Sequence, residues 1–168
     1  MIHLELEFTA THCNSWPCIK IIGNRTALWQ GIVEQTQYLD LFLPQEPTKI
    51  EIIGIGKSQG ENNVWDTRVD ATGRIVEDKT LQLTTVKINT IDMTQAWIDR
   101  LPGLKYGVWY ENTTTEFVIE EPVLNWIIKT KFIDQPRDKS IMYNNFDAKW
   151  NYSVLKDRIA NLKNQLNA

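Results

Sequence analysis

The chain has 168 residues, of which 42% are hydrophobic and 23% charged, so it suits one domain with a small appendage and can bury a core without a disulfide or metal. That apolar content excludes disorder of the whole chain. A net charge of −3 argues against a protein held on nucleic acid by phosphate neutralisation, which needs a basic face.

The opening stretch, MIHLELEFTATH, has no basic segment followed by an apolar one, so no signal peptide is expected. No apolar run approaches the ~18 residues of a membrane span. Synthesis in a reducing cytoplasm is the default, with Cys13 and Cys18 as free thiols in or near a strand.

The dominant period is two. Ile2, Leu4, Leu6 and Phe8 alternate with His3, Glu5, Glu7 and Thr9, the pattern of a half-buried strand. Cys18 to Ile22 reads as a second strand, stopped by Gly23-Asn24, and Ala27 to Val33 as a third, so residues 18–33 form a hairpin. Tyr38 to Leu43 is a strand ended by Pro44 and Pro47, and Lys49 to Ile55 a central strand. A polar loop, Gly56 to Trp65, follows. Val69 to Val76 is a hairpin tip with Gly73 in the left-handed region. Leu81 to Ile88 alternates again. Thr94 to Leu101 predicts a short helix with Thr94 as N-cap, stopped by Pro102-Gly103. Tyr106 to Tyr110 and Thr115 to Glu120 are further strands. Leu124 to Phe132, rich in Ile, Trp, Phe and Thr, is read as a strand, with a short helix as the alternative. Ala148 to Tyr152 is a late strand.

The end of the chain changes period. Leu155, Ile159, Leu162 and Leu166 form an apolar stripe on one helix face. From Val154 onward there are three basic residues and one acidic one, so the tail is about +2 and the rest about −5. So short a helix is marginal alone and must dock on its own sheet or on another chain. The expected fold is all-β, an antiparallel, jelly-roll-like sandwich over 1–153 with a C-terminal amphipathic helix over 154–168.

Catalytic signals are sparse. The two histidines are His3 and His12. His12 adjoins Cys13, but neighbours along a strand point to opposite faces, so they make no nucleophile–base pair. His12, Cys13 and Cys18 lack zinc-site spacing. The run Gly54 to Gly60 fails both phosphate-loop patterns, with Gln59 and Glu51 where glycines belong; it reads as a flexible turn leaving a strand. The chain is therefore expected to be no enzyme, with no catalytic residues and no resident cofactor.

Two clusters point towards binding. Asp66, Asp70, Glu77 and Asp78, with Glu61, Asn62 and Asn63, gather oxygen ligands around one hairpin, the chemistry a calcium ion requires; a solvated hairpin edge is the alternative. Seven tryptophans and five tyrosines include Trp65, Trp109 and Tyr110, placed beside polar residues where an exposed ring could stack on a sugar; a core or rim position is the alternative. Trp29, Trp126 and Trp150 are expected in the core. Three Asn-x-Ser/Thr matches, at Asn24, Asn112 and Asn151, carry no weight without a secretory signal.

Lys49 to Met93 resembles a segment of virion proteins from large tailed bacteriophages that carry a carbohydrate-binding-module-like, jelly-roll domain. The likeness lies in Gly56-Lys57 at a strand end, then Asp66-Thr67, Val69-Asp70, the Gly73 turn, Glu77-Asp78-Lys79 and Ile91-Asp92. Trp150 to Leu155 is similar as well, an aromatic strand running into a terminal apolar segment. The resemblance implies a virion structural protein, made in the host cytoplasm, whose partners are itself or capsid, neck or tail proteins. Leu155, Ile159, Leu162 and Leu166 are then the candidate assembly contact. The alternative is a calcium-dependent glycan-binding module using Trp65, Asp66, Asp70, Trp109 and Tyr110. Neither nucleic acid nor membrane is expected as a partner.

Overall fold

The computed structural model describes residues 1–44, 47–58, 66–101, 104, 106–120, 122–133, 159–161 and 163–165. Eleven strands occur among them, in chain order β1 (Ile2–Thr11), β2 (Cys18–Gly23), β3 (Thr26–Ile32), β4 (Thr36–Leu43), β5 (Thr48–Ile53), β6 (Thr67–Val69), β7 (Ile75–Asp78), β8 (Thr80–Ile88), β9 (Ile91–Asp92), β10 (Val108–Trp109) and β11 (Thr114–Ile119). Two short helices, α1 (Thr94–Ile98) and α2 (Val123–Ile128), join them, and α2 runs on into a π-helical turn, Lys129–Ile133.

The strands form an antiparallel two-sheet sandwich. The first sheet has the order β10-β8-β1-β4, with β9 on β8; the second has the order β11-β5-β2-β3. The chain passes back and forth between them, leaving the first after β1, returning for β4 and leaving again for β5, in jelly-roll fashion. β6 and β7 form a separate two-stranded ribbon.

Period two sets the register. The even residues of β1, Ile2 to Phe8, are buried, and so are Leu39, Leu41 and Leu43 of the neighbouring β4. Ile19 and Ile21 of β2 and Ile50 and Ile52 of β5 close the core from the second sheet. Each such side chain contributes roughly 1.5–3 kcal/mol by leaving water. The β2–β3 hairpin turns at Asn24 and Arg25, both at positive φ (46° and 71°), as a type I′ connection requires.

Three local expectations are corrected. The stretch expected as a strand over 124–132 is α2 and the π-helical turn. Successive residues Trp126, Ile127 and Ile128 are buried there, which a strand exposed on one face does not permit. Thr94 is not an N-cap. Met93 holds that position, while the Thr94 hydroxyl accepts from the Val86 amide at 2.9 Å and Asp92 Oδ1 accepts from the Thr94 amide at 2.8 Å. The strand expected over 106–110 shrinks to Val108–Trp109, because Gly107 turns the chain at φ 70°.

At one end of the sandwich, Trp97 of α1 stacks on Phe117 of β11, with ring centroids 3.4 Å apart, and Trp126 meets Phe117 edge-on. The chain is helical again over 159–161 and 163–165, and Ile159 packs, half-buried, against the core. Leu155, Leu162, Leu166 and the strand expected over 148–152, with Trp150, lie outside the described residues.

Candidate functional site

The acidic hairpin resolves into separate attachments. Asp66, at φ 40° just before β6, is buried at the base of the ribbon. Its Oδ1 accepts from Asn14 Nδ2 at 3.0 Å, and its Oδ2 from the Ser58 amide and Lys79 Nζ, both at 2.9 Å. Lys79 also donates to the Gly56 carbonyl at 2.8 Å. Burial alone would push the Asp66 pKa up, but the donors from Asn14, Ser58 and Lys79 outweigh it and hold the carboxyl far below the usual range. Asp78 Oδ1 takes Lys57 Nζ at 2.6 Å and the Thr67 hydroxyl at 2.7 Å. Two lysines thus answer two of the four carboxylates, a pairing invisible in a list of acidic residues.

Asp70 does different work. Its Oδ1 accepts from the Thr72 amide and hydroxyl and from the Arg74 amide, an Asx-type turn that closes the ribbon tip. The Thr72 hydroxyl, first among these donors, lowers the Asp70 pKa. Glu77 meets Arg68 across the ribbon at 3.2 Å, with both side chains exposed. The four carboxylates therefore point to four different partners. Among the described residues no group of three His, Cys, Asp or Glu side chains is placed to hold a metal ion.

The aromatic candidates separate. Trp109 lies in the core, tilted against Phe8, so it is no ligand platform. Tyr110, its neighbour on the opposite face, is 52% exposed. It lines a cavity of about 530 Å3 with Lys57, Thr67, Glu111 and Asn112. Asn112 clasps the loop after β5 by accepting from the Lys57 amide and donating to the Lys57 carbonyl, both at 2.7 Å. The expected flexible turn after Ile53 is held in place by that clasp. Trp65 lies outside the described residues. Trp126 is buried as expected, whereas Trp29 is only half-buried, because β3 is the outermost strand of its sheet.

The histidines and cysteines have separate surroundings. His3 stacks on Phe42 and its Nε2 contacts Asp40. His12 sits edge-on to Trp16. Cys13 is a buried free thiol and Cys18 an exposed one. Burial, with Glu77 nearby, raises the Cys13 pKa, the opposite of what a nucleophilic thiolate requires.

The most unusual surface is β4, which composition did not single out. It is the outer strand of the first sheet, eight residues long, and pairs with β1 without any register shift. Tyr38 and Phe42 on it are 70% and 64% exposed. The Tyr38 phenol is hydrogen-bonded to Glu7, which raises its pKa. Among the described residues no helix is long and apolar enough to cross a membrane. No known protein family, curated protein or solved structure matches this chain.

Proposed function

We propose that this chain is a non-enzymatic structural or adaptor protein of a tailed-bacteriophage virion, which assembles with copies of itself or with capsid, neck or tail proteins. The observation that carries the assembly reading is the outer edge of β4, which no strand among the described residues pairs. Natural sheets blunt their outer strands with lysines, prolines, bulges or short length. β4 (TQYLDLFL) has no lysine, arginine or proline and no bulge. Its one charge, Asp40, is drawn onto His3. The virion setting comes from the likeness of Lys49 to Met93, and of Trp150 to Leu155, to phage virion proteins. The measurement is the mass in solution by light scattering, with calcium and with a chelator. A multiple of the chain mass, indifferent to calcium, is expected. A monomer at every concentration whose stability rises with calcium overturns the reading.

One observation favours a second reading, a calcium-dependent glycan-binding module. The half-exposed Tyr110 ring beside Lys57, Glu111 and Asn112 offers a flat apolar face next to donors and acceptors, the composition of a sugar site. A glycan array read with and without calcium tests it. Signal that disappears in Tyr110→Ala supports this reading, and silence in both conditions sinks it.

A further inference from the structure

The direction of each backbone group on β4 can be derived. In an antiparallel strand the N–H and C=O of one residue point to the same side, and successive residues alternate. The His3 carbonyl accepts from the Asn89 amide at the end of β8, and the Glu7 carbonyl accepts from the Thr84 hydroxyl. Odd residues of β1 therefore face β8. Even residues face β4, as the Ala10 amide does in donating to the Gln35 carbonyl. Leu4 and Leu6 are registered with Leu41 and Leu39, so those leucines turn their backbone groups inward to β1. Thr36, Tyr38, Asp40 and Phe42 turn theirs outward. The Tyr38 carbonyl confirms the phase, since in the single chain it is met by the Gln37 side-chain amide at 2.9 Å.

An outward row of this kind can pair with itself. A second copy rotated about a two-fold axis brings β4 antiparallel to β4, and the position of the axis fixes the register. Centred on Asp40, the pair sets the two Asp40 carboxylates directly opposite, which like charges disfavour. Centred on Leu41, it carries Thr36 past the end of the facing strand. Centred on Leu39, it engages all four outward residues, with Tyr38 opposite the second copy's Asp40 and Thr36 opposite its Phe42. Each such pair exchanges two hydrogen bonds. We infer that a second copy of this chain docks on β4 by antiparallel strand addition centred on Leu39, making one continuous sheet in the order β10-β8-β1-β4-β4-β1-β8-β10.

The other sheet edges fit this less well. β10 has two residues. β11 is flanked by α2, since Glu116, Phe117 and Val118 share a groove with Trp126 and Lys129. β3 pairs with β2 through a register shift, and its Trp29 ring folds over Gly31 so closely that a Cβ there would lie 2.8 Å from it. Both features twist or cover an edge.

This inference rests on the assembly reading, and two measurements separate the fates of the two. Proline at position 40 removes an outward N–H and leaves the β1 ladder intact, because residues 39 and 41 supply that ladder. Light scattering of wild type is expected to give an even multiple of the chain mass. Asp40→Pro is expected to halve it at a concentration where Asp40→Ala does not, with an unchanged far-ultraviolet dichroism spectrum. A wild type that is monomeric at all concentrations sinks self-assembly itself. A folded Asp40→Pro that keeps the wild-type mass leaves assembly standing and overturns the β4 pairing. Should Asp40→Pro misfold, cysteine crosslinking decides, in a Cys18→Ser background. An equimolar mixture of Tyr38→Cys and Asp40→Cys chains is expected to form the mixed disulfide on oxidation, because hydrogen-bonded pairs stand about 5.5 Å apart at Cα. Preferential crosslinking of Asp40→Cys with itself, or no mixed product, overturns the register.

Discussion

Lys79 Nζ lies 2.9 Å from Asp66 Oδ2, with the two side chains only 2% and 3% exposed. The pair ties the residue entering β6 to the residue leaving β7, and through Gly56 to the loop after β5. A buried pair is no proof of net stabilisation, but removing one member strands the other. Lys79→Met, which keeps most of the stem volume, is expected to lower unfolding stability by about 3–5 kcal/mol. Urea denaturation checks this; a loss below about 1 kcal/mol would mean that water or another donor takes the place of the ammonium.

Acid should report on the same carboxylate. A carboxyl whose folded pKa lies below its unfolded value of about 4 adds stability that is complete above that value and is lost as pH falls towards the folded pKa. Asp66 is such a group: burial opposes ionisation, and the donors from Asn14, Ser58 and Lys79 overcome it. Wild-type stability is therefore expected to fall steeply below about pH 4. Asp66→Asn should start less stable and show a shallower slope over that range. Asp70 and Asp92, held down chiefly by the Thr72 hydroxyl and the Thr94 amide, supply the slope that remains. Equal slopes in the two proteins would remove Asp66 from the acid response.

Most strands were legible because their faces differ. β1 and β8 alternate apolar and polar residues, and burial follows that alternation nearly residue by residue; β4 and β5 keep the two-residue burial period although Tyr38, Phe42 and Ile53 put apolar residues on the less buried face. α2 was not legible. Its Ile and Trp content favours a strand locally, and only its packing on Phe117 and the core selects the helix. Trp109 and Tyr110 are both candidate exposed rings with a core or rim position as the alternative; period two puts neighbours on opposite faces, and Trp109 takes the core while Tyr110 stays exposed. The lysine partners of Asp66 and Asp78 were hidden for another reason: Lys57 reaches Asp78 across 21 positions of sequence and Lys79 reaches Asp66 across 13. Nothing in residue type marks a lysine as buried. The β4 edge was hidden because being outermost is a property of strand order, which a strand's own residues do not state.

Gly107 is the glycine whose replacement should matter most at the α1 end. Its φ is 70°, and a Cβ there would lie 3.1 Å from Ile98 Cγ1 and 3.2 Å from the Leu83 carbonyl oxygen. Gly73 has a φ of 83° but open space around it. Gly73→Ala is expected to cost only the left-handed backbone, about 1–2 kcal/mol. Gly107→Ala should cost more, since Ile98 or β8 must also shift. Denaturation midpoints compare the two, and equal losses would mean that Ile98 yields freely.

Thiol labelling tests the packing of the N-terminal connection. Cys18 is exposed where β2 begins, and Cys13 is buried. One thiol per chain is expected to react rapidly with a maleimide in the native state, and the second only after unfolding. Cys18→Ser should abolish the rapid reaction. Rapid labelling of both would show that the segment around Cys13 opens in the native protein.

Calcium is the remaining lever on the hairpin. The ion takes roughly six to eight oxygen ligands in one shell. Here Asp66 and Asp78 face lysines, Asp70 faces the backbone of its own turn and Glu77 faces Arg68. Gathering them around one ion requires stranding Lys79, which is fully buried, and opening the turn at the ribbon tip. Such rearrangement costs more than an exposed carboxylate cluster would demand. Saturating calcium is therefore expected to leave the thermal midpoint unchanged, and Asp70→Ala should loosen the ribbon equally with and without the ion. A calcium-dependent rise in the midpoint that Asp70→Ala removes would mean that the hairpin exchanges its internal partners for a metal, and would move the functional reading towards the glycan-binding module.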